Sequence, residues 1–338
     1  MTTSGTPTHT GGRLFRDPST GRSSHPIRRL VTPSFWRHKA VWVVLAATYL
    51  VGLAVSANVV APSRWADLLR LATPLACLAL GQTILVIGRN LDLSVGGVVG
   101  LVNVIAAGVL AQQSNPVVVI LLCLGMGLAV GLINGVGVAL VGVSPFIMTL
   151  GTSFMLTGAA LVISGGAPSG QLPPSIRALS LGSWLGLAPA VWLTAALFVG
   201  VAIVLKFTWV GRTLYARGIN PSAARLSGVS LARVDVVSYV FSGLCAAVGG
   251  LFLAGAVGQG SLGAGEDLLL NSLAAVVVGG TTFVGGKGGV GGTLGGALLF
   301  TVLAAVLTAA GLGAGGLSIA SGVVLLAAAA LFRRTRST

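Results

Sequence analysis

"LACLALGQTILVIGRNLDLSVGGVVGLVNVIA", residues 75 to 106, holds two apolar runs separated by Arg89, Asn90, Asp92 and Ser94. One apolar helix of about 20 residues crosses a bilayer, and a polar break between two such runs is the mark of a chain that crosses more than once. Apolar runs of this length recur along almost the whole chain after residue 40. Of its 338 residues 54% are hydrophobic and only 8% charged, against about 25% charged in soluble domains. The mean hydropathy is +0.97. The composition predicts an all-α polytopic membrane protein.

Ten spans follow from the pattern: 41–61, 66–88, 92–111, 116–141, 145–164, 189–206, 235–257, 268–285, 290–311 and 315–332. The division is then a basic tail over 1–40, expected to be disordered over most of its length, a transmembrane domain over 41–332 and a short basic tail over 333–338. With both termini cytoplasmic, 17 of the 20 Lys and Arg fall on the inside and only Arg64, Arg70 and Arg177 on the outside. That split is what the positive-inside rule requires. Moving one span would invert everything downstream and spoil it, so the charges support an even count. A signal peptide over 41–61 is the rival reading, with "VSA" at 55–57 as a cleavage site, but the polar segment before it is far too long.

The net charge of +14 does not mark a nucleic-acid binder, because the basic residues lie in loops and at the ends rather than on one face. Cys77, Cys123 and Cys245 sit in apolar stretches with neither zinc spacing nor a disulfide framework. All three histidines (His9, His25, His38) fall in the polar N-terminal segment, which leaves no buried metal or proton relay built on histidine. No metal site and no catalytic constellation is expected. The run "GGTTFVGGKGGVGGT", 279–293, resembles a phosphate loop only superficially. A hydroxyl residue should follow Lys287, where Gly288 stands, and the glycine expected five residues before Gly286 is Thr281. It reads instead as the end of one span, a tight turn at Lys287 and the start of the next. The 51 glycines suit helices that approach closely in lipid.

Two stretches carry candidate chemistry. "GRNLDLSVGG", 88–97, supports two readings: an unwound helix lining a translocation pathway, or a cytoplasmic turn in which Asp92 caps the next helix and pairs loosely with Arg89. Gln82, Asn90, Asp92, Ser94, Asn134, Thr149 and Thr152 are the candidate pathway residues, with Asn103 and Asn271 as weaker polar positions. Interhelical hydrogen bonding is the alternative use for all of them. The second stretch is "KFTWVGRTLYARGINPSAARLSGVSLARV", 206–234, placed in the cytoplasm by its five positive charges. Within it Asn220 is an N-cap, Pro221 opens a short helix and Gly228 stops it. A short capped helix projecting from a membrane domain is a handle for a soluble partner.

That second stretch resembles the cytoplasmic segment of ABC-transporter permeases of the ribose, xylose and galactose importer family, whose pattern runs A-x-G-x-N-x-x-A-A-x-x-S-G-I. Ala216, Gly218, Asn220, Ala223, Ala224, Ser227 and Gly228 stand at the matching positions, with Val229 for the isoleucine. "LDLSVGG", "PFIMTLGTSFMLTGAALVISGG" and "LAAVVVGGTTFVGGKGGVGGTLGGALL" resemble three further elements of that family, in the same order. Arg89 and Asn90 depart from its usual Gly-Gly, and Leu269 and Asn271 stand where Glu and Asp are common. The resemblance implies a non-enzymatic transport subunit. Two copies, or this chain and a sister chain, would form the pathway across the lipid bilayer of the bacterial cytoplasmic membrane. An ATPase subunit with two nucleotide-binding modules would carry the ATP and Mg, leaving no cofactor on this chain, and an extracytoplasmic binding protein would deliver a monosaccharide. Arg212, Tyr215, Gly218, Asn220, Ala223, Ala224, Arg225, Ser227 and Gly228 would form the ATPase-coupling segment. The competing assignments are a branched-chain amino-acid permease of the same class and an ion-coupled carrier working through Asp92.

Overall fold

The computed structural model describes residues 33–56, 60–108, 115–167 and 170–313, and parts of 315–323. Among the described residues the chain is helical, with twelve named α-helices and two isolated β-bridges. They are α1 (Pro33–Val55), α2 (Trp65–Ile87), α3 (Val95–Ala107), α4 (Pro116–Val136, continued by a π turn, Gly137–Val141), α5 (Pro145–Ser164) and α6 (Pro174–Leu181). After them come α7 (Pro189–Phe207), α8 (Trp209–Ile219), α9 (Pro221–Leu226), α10 (Leu231–Val257), α11 (Glu266–Val278) and α12 (Val290–Ala309). Among the described residues six helices are long and apolar enough to cross a membrane: α2, α4 with its π turn, α5, α7, α10 and α12.

The centre of the bundle is α2 against α10. On one side α3, α4 and α5 pack around them, and on the other α11, α12 and α1. Glycine lets α4 cross α10 with backbones in contact. A Cβ at Gly127 of α4 would lie 2.5 Å from the Gly243 carbonyl of α10, and one at Gly243 would lie 2.2 Å from the Gly127 carbonyl. Lipid gives helices no hydrophobic reason to associate, so backbone contact of this kind supplies the dispersion energy that holds them.

Two of the expected spans come out shorter than the hydropathy suggests. The described part of 92–111 yields only α3, and 268–285 only α11, each 13 residues or about 20 Å long, against a hydrocarbon core of about 30 Å. The backbones of Gly96 and Gly265 abut where these helices begin, a Cβ at Gly265 falling 2.0 Å from the Gly96 carbonyl. Irregular backbone lies just before both starts, and it is tolerated because protein encloses it: Asp92, Ser94 and Gly265 are buried. Past Val278, the apolar Phe283 and Val284 belong to an exposed glycine loop rather than to a helix. Hydropathy alone reads such residues as membrane.

The first helix begins at Pro33, inside the stretch expected to be a polar tail. Residues 1–32 and most of the last expected span lie outside the described residues.

Candidate functional site

The stretch 88–94 leaves α2 through a C-terminal cap of Schellman type. Arg89 N–H donates to the Val86 carbonyl (3.1 Å) and Asn90 N–H to the Leu85 carbonyl (2.8 Å), with Arg89 in the left-handed region at φ 63°. The same cap recurs at the end of α11: Gly280 N–H donates to Val277 O (2.9 Å), Thr281 N–H to Val276 O (3.1 Å), and Gly280 has φ 91°. Where the second break has glycine, the first has arginine, at a backbone cost on the order of 1–2 kcal/mol.

The Arg89 side chain offsets that cost. Its Nε donates to the Gly218 carbonyl at 2.6 Å and one terminal nitrogen to the Ile219 carbonyl at 2.8 Å, so it caps the C-terminus of α8. A cation there is also favoured by the helix dipole. The loose Arg89 to Asp92 pairing expected from sequence is therefore replaced by this contact. From the other direction Arg217 of α8 donates to the Gly88 carbonyl and to Asp235 of α10 (2.8 Å), with its Nε 2.5 Å from the second carboxylate oxygen. Asn90 donates to the same carboxylate at 2.7 Å. The two side chains are only 13% and 8% exposed, which makes this a buried, hydrogen-bonded ion pair rather than a surface one.

Gly218 closes the clasp, because a Cβ there would lie 2.0 Å from Ile87 O and 2.4 Å from Gly286 N. The end of α8 is thus wedged between both breaks. The glycine loop 279–289 braces this joint: Gly286 N–H donates to Ile87 O (2.8 Å) and the Tyr215 hydroxyl to Gly288 O (2.9 Å). Burial pushes the Tyr215 phenol up, which keeps it a donor.

Tyr215 and Gly218 belong to the clasp itself, and the candidate coupling residues from Asn220 onward form the tip beyond it. Asn220 accepts from the Ser222 and Ala223 amides (both 3.1 Å), Pro221 opens α9, and Gly228 (φ 82°) ends it with Val229 N–H on Ala224 O. Ser227 bonds back to Ala223 O at 3.0 Å, Ala224 is buried, and Arg212 and Arg225 are exposed. Ile219 (64% exposed) and Leu226 (91%) stand apolar and uncovered at the tip.

Apart from Asn90, which belongs to the clasp, the candidate pathway residues form one buried network beside it. Asp92 accepts from Ser94 N (2.9 Å), Ser94 Oγ (2.5 Å) and Ser242 Oγ (3.0 Å). Gln82 donates to the Asp92 carbonyl, Asn134 to Ser94 Oγ (2.8 Å), Thr152 to Asn134 Oδ1 (2.7 Å), and Leu93 N–H to Thr149 (3.0 Å). Five elements, the 88–94 stretch with α2, α4, α5 and α10, are tied together here, and Asp92 does hold the turn that opens α3. Asn103 stays outside the network with neither amide atom hydrogen-bonded. Sequence reasoning missed Arg217, Asp235, Tyr239, whose hydroxyl donates to Leu91 O (3.0 Å), and Ser242. A signal existed for Asp235, the one acid in a 27-residue helix whose only other charge is Arg233.

A multi-pass helical domain with a buried polar joint and a capped helix projecting from it is the architecture of a membrane-embedded protein. The family model described as "Branched-chain amino acid transport system / permease component" matches residues 64–331, and the chain belongs to that family. It is similar to the ribose import permease protein RbsC of Escherichia coli strain K12, 30% identical over 280 residues, covering 82% of this chain and 87% of that one. It is also similar to the autoinducer 2 import system permease protein LsrC of Photorhabdus luminescens, 34% identical over 253 residues (75% and 76%), and to RbsC of Haemophilus influenzae, 35% over 241 residues (70% and 75%). No solved structure matches.

Proposed function

We propose that this permease forms the translocation pathway of an ATP-driven importer for a monosaccharide or a sugar-like solute handed over by an extracytoplasmic binding protein. It works in ten spans with both termini cytoplasmic, beside a second permease copy. A cytoplasmic ATPase subunit with two nucleotide-binding modules holds the ATP and Mg and takes α8 and α9 as its docking element. The observation that carries this reading is the clasp: α9 ends in exposed Leu226, while α8 is bonded to the break between α2 and α3 through Arg89, Arg217 and Asp235. A push on the tip is delivered to the polar joint, because buried ion pairs and backbone wedges transmit displacement rather than absorb it. The similarity to permeases named for ribose and autoinducer 2 favours a polyhydroxylated solute over a branched-chain amino acid. Gln82, Asn90, Asp92, Ser94, Asn134, Thr149 and Thr152 shape the pathway wall in this account.

The experiment is uptake of radiolabelled pentoses, hexoses and branched-chain amino acids by cells carrying the permease or its variants, with membrane abundance checked by immunoblot. Gly228→Trp and Arg225→Glu are expected to abolish uptake of a sugar while leaving the protein in the membrane. Normal uptake in both variants would overturn the coupling role, and uptake of leucine in place of any sugar would overturn the substrate class.

A further inference from the structure

Between α7 and α10 a groove of about 940 Å³ opens onto the flank of the bundle. Its walls are Leu197, Val201 and Val204 of α7 and Val237 and Phe241 of α10, and Trp209 of α8 stands at its inner end. Val237 is 58% and Trp209 68% exposed, so the described residues do not cover it. The inner rim is different in kind. Ser227 to Ser230 and Arg233 line it, joining α9 to the first turn of α10.

Charge decides what fits. Arg233 lines this end, Lys206, Arg212 and Arg225 stand close to its lining residues in sequence, and among the described residues none of the four lies within ion-pair distance of a carboxylate. The nearby acid, Asp235, is taken by Arg217 and Asn90. A second copy of this chain suits the groove poorly. A two-fold contact through Arg233 would set Arg233 against Arg233, and of the acidic residues Asp92 and Asp235 are buried, Asp67 pairs with Arg64 and Arg70, Glu266 and Asp267 open α11 on the side that the charge count places outside, and Asp17 lies outside the described residues. An apolar slot with an unpaired guanidinium at its inner, water-facing end matches a molecule with a long apolar chain and an anionic head.

We propose that the groove holds an anionic phospholipid of the cytoplasmic leaflet, its acyl chain along α7 and α10 and its phosphate at Arg233 and Ser230. Basic pockets between transmembrane helices on the cytoplasmic side bind anionic headgroups, each Lys or Arg contributing about fivefold in affinity. The headgroup then sits against residues 227–230, directly behind the tip of α9. Occupancy of the groove braces the coupling segment from the membrane side. The inference rests on the membrane reading and on the cytoplasmic placement of 206–234, not on the importer assignment, and its test uses no ATPase and no sugar.

The full chain, with Trp209 kept and the other five tryptophans replaced by phenylalanine, is reconstituted in phosphatidylcholine vesicles. These are doped with brominated phosphatidylglycerol or brominated phosphatidylcholine. Quenching of Trp209 is expected at about fivefold lower mole fraction of the anionic lipid, in keeping with one cation, Arg233, at the headgroup. Arg233→Lys should keep that preference and Arg233→Glu remove it. Gly200 lines the groove with nothing within 4 Å of a Cβ placed there, so Gly200→Phe should fill the slot and weaken quenching by both lipids. Native mass spectrometry of the otherwise unaltered chain, counting retained phosphatidylglycerol with and without Arg233→Glu, gives the same answer if the single-tryptophan protein fails to fold. Equal quenching by the two lipids overturns the proposal, as does an anionic preference that survives Arg233→Glu. Absence of quenching by either lipid overturns it too, since the groove is then closed by a second copy or another part of the chain.

Discussion

Replacing Asp235 by leucine removes the carboxylate that holds Arg217 and Asn90 together. Arg217 is only 13% exposed in its side chain and cannot swing into water without breaking its bond to the Gly88 carbonyl. Leaving such a charge uncompensated costs about 3–5 kcal/mol, and the stranded Asn90 amide adds about 1 kcal/mol. Replacing both partners by apolar residues of similar volume, Arg217→Met with Asp235→Leu, leaves no buried charge and should return the protein to within about 2 kcal/mol of wild type. The assay is denaturant unfolding in detergent micelles on the wild type, the two single variants and the double variant. A coupling energy of about 2–4 kcal/mol is expected from the four values. The double variant should also be stable yet poorly active, because α8 is no longer tied to the α2 and α3 break. If Asp235→Leu alone costs about 1 kcal/mol or less, the pair behaves as an exposed one, and the clasp has no energetic content.

Gly218→Ala should prevent stable accumulation or abolish uptake, since its Cβ would lie 2.0 Å from Ile87 O, whereas Gly125→Ala, with nothing within 4 Å, should be silent; the comparison is read by immunoblot and uptake. Arg89→Gly relieves the left-handed strain but loses two bonds to the end of α8, so net stability should change by about 1 kcal/mol or less. Amide hydrogen exchange over residues 216–220 should nonetheless rise. Asp92→Asn keeps the fold of the turn but gives up a carboxylate that accepts three bonds; retention of full uptake and full substrate-stimulated ATP hydrolysis would remove Asp92 from the pathway.

The sequence was readable where one physical rule dominated. Long apolar runs placed α2, α4, α5, α7, α10 and α12 within a few residues, and Asn220, Pro221 and Gly228 delimited α9 because capping chemistry is local. Length failed where glycines sit beside apolar residues. Hydropathy counts Phe283 and Val284 as span, yet Gly279 and Gly280 end the helix first, and the same happens before α3 at Gly88 and Arg89. The paired breaks are hard to see in sequence because Arg89-Asn90 answers Gly280-Thr281, residues alike in backbone conformation and unlike in chemistry. The candidate pathway residues all lie buried, but their mutual bonding was not legible in the sequence. Ser94 to Asn134 to Thr152 spans three elements, and no local spacing encodes which helix faces which.

The measurement that tests the account most directly is purification of the tagged protein from its native membrane in mild detergent, beside the Gly228→Trp variant, with identification of what comes with each. The account predicts an ATPase subunit with two nucleotide-binding modules in the wild-type preparation and its loss from the variant. No ATPase with the wild type, together with uptake that collapses under a protonophore while ATP stays high, would contradict it and point to an ion-coupled carrier instead.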